Sequence, residues 1–387
     1  MEHLKIFTEN IEPEAVNQVY TIAKSEIFKD SVIRIMPDVH AGKGCTIGTT
    51  ITIKDKIVPN LVGVDIGCGV DCIEIDTENI DFKKLDEVIH QYVPAGFNIH
   101  EQAGGKFKFE DLRCCKQIDL DRPSKSIGTV GGGNHFIEID YSPENHKYYL
   151  LIHSGSRNLG VQVCKHYQNV AVNTLGNMKG VRDELIAKLK SQHREKEIFE
   201  ELKKLQKPAL NKDLAYLTDK NFDDYMHDMQ VTQDYAVLNR RTIAENIIKH
   251  MNWKVSDKFS SIHNYIDMEH KILRKGAISA QRGELAIIPI NMKEGSLICR
   301  GKGNEDWNYS APHGAGRIMS RAAARENIAL EDYEKSMEGI YTTSVNMGTI
   351  DESYFVYKNM EEIASLITPT VDILDKIVPI YNFKAGE

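Results

Sequence analysis

Residues 306–321 of this 387-residue chain read DWNYSAPHGAGRIMSR, with His313 set between a proline and a Gly-Ala-Gly turn. A neutral imidazole is a competent nucleophile near pH 7, and the phosphoramidate that it forms is labile enough to pass a phosphoryl or nucleotidyl group on. The pattern predicts a helix starting at Gly314. That would place Arg317 and Arg321 at i and i+4 on one face, with helix N-terminal N–H groups beside them to receive phosphate.

Such an attack needs something to neutralise the leaving group, and the rest of the chain offers metal ligands embedded in glycine turns. Asp65-Ile66-Gly67-Cys68-Gly69 sets a carboxylate and a thiol three residues apart, able to point at one spot. A thiolate can bridge two ions, and an added carboxylate admits harder ions such as Mn²⁺. Gly131-Gly132-Gly133-Asn134-His135 opens a strand, with His135 a candidate ligand and Glu138 a candidate reader of a ligand donor. His153 ends the apolar run YYLLIH and is followed by Ser-Gly-Ser-Arg157, a candidate phosphate clamp. His263-Asn264 supplies another imidazole, although its seven-residue spacing from His270 also fits one face of a helix. A buried structural cysteine or a half-buried histidine explains each motif singly. One Asp, one Cys and three His at glycine turns together suffice for a two-metal site clamping the oxygens of an in-line displacement. The P-loop and dinucleotide glycine patterns, H-E-x-x-H, paired C-x-x-C motifs and the K-x-D-G of lysine-type ligases are all missing from the chain.

The elements that must position these residues change character along the chain. Short apolar runs at 31–36, 46–53, 70–75, 136–140 and 148–153 read as strands, and 81–92 as an amphipathic helix. After His153 the pattern turns helical: 158–173, the charged stretch 178–207, and 223–251. The last has Met226, Met229, Tyr235, Leu238, Ile243 and Ile247 near 3.6 spacing. Strands return at 260–266, 285–290 and 296–300, and a helix is expected over 360–377. The fold class is therefore α/β (α+β): a β-rich body with inserted and packed helices around a central metal-lined cleft. The expected organisation is one catalytic domain over 1–387 with a helical insertion at about 158–251.

Hydrophobic residues at 41% and charged residues at 27% describe an ordinary globular chain. No apolar run approaches the roughly 18 residues of a membrane span, and MEHLKIFTEN has no signal-peptide core. The seven cysteines form no even framework, which points to reduced thiols, a cytoplasmic location and Cys68 as the ligand among them. A net charge of −8 argues against a generic charge-driven nucleic-acid binder. A local basic groove of Arg157, Arg240, Arg241, Arg317 and Arg321 remains compatible with it.

DIGCGV at 65–70, GGGNHFIE at 131–138, HSGSR at 153–157, HN at 263–264 and APHGAGR at 311–317 follow one another in this order. With MPDVHAGKGCTIG at 36–48, DMQ…A…NR around 228–240 and GKGN at 301–304, the sequence strongly resembles the RtcB family of GTP-dependent RNA ligases over nearly its whole length. The resemblance implies joining of an RNA 3′-phosphate or 2′,3′-cyclic phosphate end to an RNA 5′-hydroxyl end. GTP and two Mn²⁺ ions are the implied cofactors, His313 is guanylylated, and the setting is tRNA splicing or RNA repair. It implies Asp65, Cys68, His135, His153 and His263 as the Mn²⁺ ligands, with Cys68 bridging. Asn134, Arg157, Arg317 and Arg321 would handle phosphates, Glu138, Ser296 and Tyr357 the guanine or ribose, and Ala315 and Gly316 would contact GTP or its phosphates. An archease-type activator is a possible partner. Two positions depart from the family pattern: Asn291 stands where a serine is usual near guanine, and Lys384 stands for the lysine near the usual C-terminus. The alternatives are a specialised paralogue that nucleotidylates or caps 3′-phosphate ends, and a metal-dependent phosphohydrolase, which would need the metal ligands but not His313.

Overall fold

Glycine and proline punctuation cuts the chain into short strands, and in the computed structural model, which describes residues 3–42, 44–204 and 210–385, these form three sheets among the described residues. The largest runs in spatial order β11 (Leu285–Asn291), β12 (Gly295–Gly301), β15 (Val371–Phe383), β5 (Phe136–Ser142), β6 (Lys147–Ser154), β4 (Gly69–Asp76) and β7 (Lys254–Ile262). These neighbours are all antiparallel, and β14 (Tyr341–Thr342) adds to β15 in parallel. The sheet curls until its ends meet, where the Ile287 N–H donates to Ser261 Oγ at 3.0 Å. A second sheet orders β1 (Leu4–Ile6), β2 (Ile33–His40), β3 (Ile47–Thr52), β9 (Ile272–Lys275) and β8 (Asn264–Asp267). A two-stranded ribbon pairs β10 (Ala277–Ser279) with β13 (Ser310–Pro312).

Helices cover the sheets as the apolar spacing requires. The helix Phe82–Tyr92 starts where the Asp81 side chain accepts from the Lys84 N–H at 3.0 Å. The long helix Asp219–Met251 buries Tyr225, Met226, Met229 and Tyr235 in the core beside the five-stranded sheet. Its later turns put Ile243, Ala244, Ile247 and Met251 into the core behind the curled sheet, so one helix joins both cores. Each fully buried Ile or Met contributes about 1.5–3 kcal/mol of transfer free energy. The helix stops at Asn252 in the left-handed conformation, with the Trp253 N–H donating back to the Ile248 carbonyl at 3.0 Å.

Four expectations change. The stretch 360–377 is not one helix: Met360–Ile367 is helical, and β15 follows as a strand from Val371 to Phe383. Pro369 lacks the N–H that a helix needs, and the β-branched residues after it suit a sheet. No helix begins at Gly314; the described helix is Arg321–Asn327, capped by Ser320 Oγ accepting from the Ala323 N–H at 3.2 Å. The strand expected over 260–266 is broken at His263, between β7 of one sheet and β8 of the other. His263 and His270 therefore share no helical face; His270 lies in the turn after β8, where its ring Nδ1 is 3.0 Å from Asp267. The charged stretch forms the helices Met178–Ser191 and Ile198–Lys204, and its positions 205–207 lie outside the described residues.

Candidate metal and phosphate-chemistry site

Sheet register gathers the metal-ligand candidates. The turn carrying Asp65 and Cys68 enters β4, His135 immediately precedes β5, His153 lies near the end of β6 and His263 leaves β7. These strands are neighbours in the order β5, β6, β4, β7. Val70 and Phe136 both oppose His153, and Gly69 opposes Ile262. With strands about 4.8 Å apart, four loops separated in sequence meet at one sheet edge.

Their donor atoms form a continuous row. Asp65 Oδ2 lies 3.0 Å from His135 Nε2, Cys68 Sγ lies 3.4 Å from that nitrogen and 3.3 Å from His153 Nε2, and His153 Nε2 lies 3.4 Å from His263 Nε2. Cys68, His135 and His153 form a buried cluster whose donor atoms all lie within 4.8 Å of one another, close enough to share one metal ion. The two histidine rings are oriented from behind: Nδ1 of His135 donates to the Val130 carbonyl at 2.9 Å, and Nδ1 of His153 to the Asn134 carbonyl at 3.0 Å. Both Nε2 atoms are thereby turned inward as ligands, the arrangement that protein metal sites use to fix the imidazole tautomer. A single thiol proton cannot satisfy both nitrogens, so the chemistry of the donor set fits a bound cation.

The electrostatics agree. Burial, reinforced by the neighbouring histidines, pushes His153 and His263 far below the ordinary imidazole value and keeps them neutral. Burial opposes ionisation of Asp65, but the adjoining His135 ring and the Arg157 guanidinium outweigh it and hold the carboxyl below its usual range. Burial and Asp65 push the Cys68 thiol up, a penalty that a coordinating cation reverses.

Arg157 lies across the glycine-rich loop. Its Nη1 comes within 3.1 Å of His135 Nδ1, and a Cβ at Gly131, whose φ is +86°, would sit 1.9 Å from Nη2. A side chain at 131 would have to push this guanidinium aside, and the positive φ itself favours glycine. Arg157 itself adopts the left-handed φ of 52° and its buried Nε has no hydrogen-bond partner, a strained backbone of the kind found at functional sites. Asn134 is exposed on the same loop.

His313 follows β13, and its ring centroid lies 4.7 Å from that of His263. The fully buried Asp38, on β2, accepts the His313 backbone N–H at 3.1 Å through Oδ2, and the same oxygen lies 2.7 Å from the ring Nδ1. With Nδ1 committed to the carboxylate, Nε2 is the ring nitrogen left for nucleophilic work. A Cβ at Gly316, with φ of +78°, would stand 2.1 Å from the Asp38 carbonyl oxygen, so glycine lets the HGAGR loop close over that aspartate. The motif at 36–48 contained Asp38, but nothing in the local sequence paired it with residue 313.

The phosphate and nucleoside candidates separate into groups. Arg317 and Arg321 do not share a helix face. Arg317 lies in the loop, bridged to Tyr357, and Arg321 opens the next helix; both reach the buried Glu352. Tyr357 and Lys384 meet the same carboxylate. Glu138 is buried on β5 and accepts from Asn382 Nδ2 at 2.6 Å, and burial raises its carboxyl and that of neighbouring Asp140. Ser296 is fully buried with Oγ unpaired, and Ala315 packs in the core while Gly316 accepts the Lys358 N–H. Asn291 is used by its own hairpin: Oδ1 accepts the Lys293 and Glu294 N–H groups, and Nδ2 donates to Glu294 at 2.7 Å.

The basic groove anticipated from five arginines does not form as such. Arg241 is exposed beside Glu245, whereas Arg240 is fully buried. Arg240 donates to Asp71 through Nε at 2.7 Å and to the Gly67 and Ser154 carbonyls through Nη1, tying the metal turn to β6. Removing one partner of a buried charge pair costs about 3–5 kcal/mol. Arg240→Ala is therefore expected to lower unfolding free energy by about that amount in a urea titration; an unchanged midpoint would refute the bracing role.

These features define a mixed α/β protein whose curled sheet edge carries a thiol–imidazole–carboxylate cluster, a candidate metal site, beside a carboxylate-backed histidine. A family model described as tRNA-splicing ligase RtcB matches residues 18–111 and 94–385, and the chain belongs to the RtcB family. It is 30% identical to the RNA-splicing ligase RtcB of Escherichia coli strain K12 across 96% of this chain and 94% of that protein. It is 25% identical to the tRNA-splicing ligase RtcB of Archaeoglobus fulgidus across 92% and 88%, and 26% identical to an RNA-splicing ligase RtcB2 of Escherichia coli strain ATCC 25922 across 82% and 76%.

Proposed function

We propose that this protein is an RNA ligase that joins an RNA 3′-phosphate, or a 2′,3′-cyclic phosphate first hydrolysed to one, to an RNA 5′-hydroxyl through a GMP adduct on His313. The observation that carries this reading is the placement of His313: beside His263 at the end of the donor row, with Nδ1 held by buried Asp38. The relatives' names, RNA-splicing and tRNA-splicing ligase, support the RNA substrate class. A cytoplasmic role in tRNA splicing or repair of cleaved RNA, carried by one domain with the helices of 158–251 as an insertion, completes the proposal. An archease-type activator is a partner to test. No helix among the described residues is long and apolar enough to cross a membrane.

In this reading Asp65, Cys68, His135, His153 and His263 hold Mn²⁺. Such ions polarise the phosphates and offset the charge of the departing groups. His313 Nε2 attacks the α-phosphorus of GTP, a P–N bond forms and pyrophosphate leaves. The Asp38 carboxylate stabilises the charge that then develops on the ring. An RNA 3′-phosphate oxygen next takes GMP from His313, restoring the imidazole. The 5′-hydroxyl finally attacks the 3′-phosphorus, forms the phosphodiester and expels GMP. Arg157 and Asn134, beside the row, are assigned to the phosphates, and Arg317, Arg321, Tyr357, Lys384, Glu138 and Ser296 to the nucleotide. Asn291, occupied with its own turn, is assigned no base contact.

The test is ligation of a 2′,3′-cyclic-phosphate RNA to a 5′-hydroxyl RNA with GTP and Mn²⁺; a protein that forms neither adduct nor joined product would sink the proposal. Asp38→Asn sharpens it. An asparagine amide can donate to Nδ1, which moves the ring proton to Nε2 and removes the nucleophilic lone pair. Adduct formation is expected to slow by about 10³–10⁴-fold, the scale of a wrong-tautomer histidine. A rate within a few-fold of wild type, measured by single-turnover GMP labelling, would dissociate Asp38 from the chemistry.

A further inference from the structure

Glu352 lies at the end of the short turn Ile350–Glu352, is 2% exposed, and belongs to none of the motifs that draw attention in the sequence. Its Oε1 accepts from Arg317 Nη1 at 3.1 Å and Arg321 Nη1 at 2.8 Å. Its Oε2 accepts from the Tyr357 hydroxyl at 2.5 Å and Lys384 Nζ at 3.1 Å. The four donors come from three separate parts of the chain, and all four are side chains that the reading above assigns to the nucleotide.

The adjacent residue reinforces the arrangement. The Asp351 carbonyl accepts from Arg317 Nη2 at 2.6 Å and its carboxylate from Arg321 Nη1 at 2.7 Å. The turn is itself anchored, with Ile350 in a core cluster beside Tyr333, Met337 and Met292, and the Glu352 N–H donating to the Thr349 carbonyl at 2.9 Å. Ser344 Oγ receives the Lys384 backbone N–H at 2.8 Å, which fixes the last strand's exit against the same wall.

We infer that Glu352 is the positioning residue for nucleotide binding: a fixed buried counter-charge that assembles Arg317, Arg321, Tyr357 and Lys384 into one wall without touching substrate. Three flexible cations placed side by side repel one another and sample many rotamers. A single buried carboxylate sets their spacing before an anionic nucleotide arrives. Two carboxylates against Arg317, Arg321 and Lys384 leave an excess of positive charge for a polyphosphate. Burial alone would raise the Glu352 carboxyl, but Lys384, Arg321 and Arg317 outweigh it and hold its pKa at about 2. It therefore stays ionised at working pH and serves as a charge, not as a proton donor.

This inference rests on the guanylylation reading, and the experiment separates the two. GMP labelling is followed as a function of GTP concentration in wild type, Glu352→Gln and Glu352→Asp, with Mn²⁺ content measured on each protein. Glu352→Gln substitutes an amide that must point N–H groups at cationic donors. It is expected to raise the GTP concentration for half-maximal labelling by at least about ten-fold, with the saturated rate within about three-fold of wild type. Mn²⁺ content should be unchanged, and Glu352→Asp, which keeps the charge, should recover much of the apparent affinity. Should the Gln protein fail to fold, Tyr357→Phe and the Asp protein carry the test, each expected to shift half-saturation by a few-fold in the same direction. Equal half-saturation in all folded variants, or a lost saturated rate at unchanged half-saturation, would overturn the role. A wild type that takes no label from GTP would instead overturn the guanylylation reading itself, and this inference with it.

Discussion

His313→Ala is expected to abolish covalent GMP labelling and end joining together, by at least about 10⁴-fold, the scale on which removal of a covalent nucleophile acts. The structure makes the reason local. The ring is held through Nδ1 by Asp38 and lies 4.7 Å, centroid to centroid, from His263 at the end of the donor row. Alanine leaves the backbone N–H of residue 313 bonded to Asp38 and leaves every proposed metal ligand in place. Mn²⁺ content should therefore match wild type, which separates loss of the nucleophile from loss of the centre. A further arm uses an RNA whose 3′-phosphate already carries GMP. If His313 serves only to deliver the nucleotide, the alanine variant should join this RNA to a 5′-hydroxyl end. Retained GMP labelling of the variant would remove His313 from the reaction; failure on the pre-activated RNA would give it an additional role in the joining step.

Cys68→Ala is expected to have the other large effect, on the metal. Sγ is the donor that reaches both His135 and His153, at 3.4 and 3.3 Å, so its loss opens the middle of the row. Loss of outer-shell partners alone typically weakens metal sites 10–100-fold, so removing an inner donor should weaken Mn²⁺ by more than about 100-fold. Metal analysis after dialysis should find at least one of the two proposed ions missing, and GMP labelling should fall with it. The side chain is small and buried, so stability should change far less than activity. Wild-type Mn²⁺ content with normal labelling would take Cys68 out of the centre.

The two effects together discriminate between enzyme classes. A metal-dependent phosphohydrolase predicts sensitivity at Cys68 and indifference at His313. The ligase reading predicts loss at both, with metal retained only in the His313 variant.

Much of this was legible in the sequence because chemistry-bearing residues sat at glycine turns. DIGCG, GGGNH, HSGSR and PHGAGR each announce a backbone bent to bring a polar side chain to an edge, and the structure gathers Asp65, Cys68, His135, His153, His263 and His313 in one place. The strand at 136–140 and the apolar spacing of the long helix were likewise readable, since each reflects a local period of 2 or 3.6 residues. The sequence also carried the family.

Other features were decided only by tertiary contact. Residues 371–377 could be read as the end of a helix over 360–377 until their pairing with β12 made them part of a strand. The 260–266 run gave no hint that His263 would mark the crossing between two sheets. Arg240 looks like a groove residue in sequence and is a buried brace in the fold. Asp38 meets His313 across 275 positions, and Glu352 meets Arg317, Arg321, Tyr357 and Lys384 from a turn without a motif. The reason is physical: a local pattern fixes which way a side chain leaves its own strand or turn, whereas a buried charge acquires its role from partners that only the folded chain brings within hydrogen-bond distance.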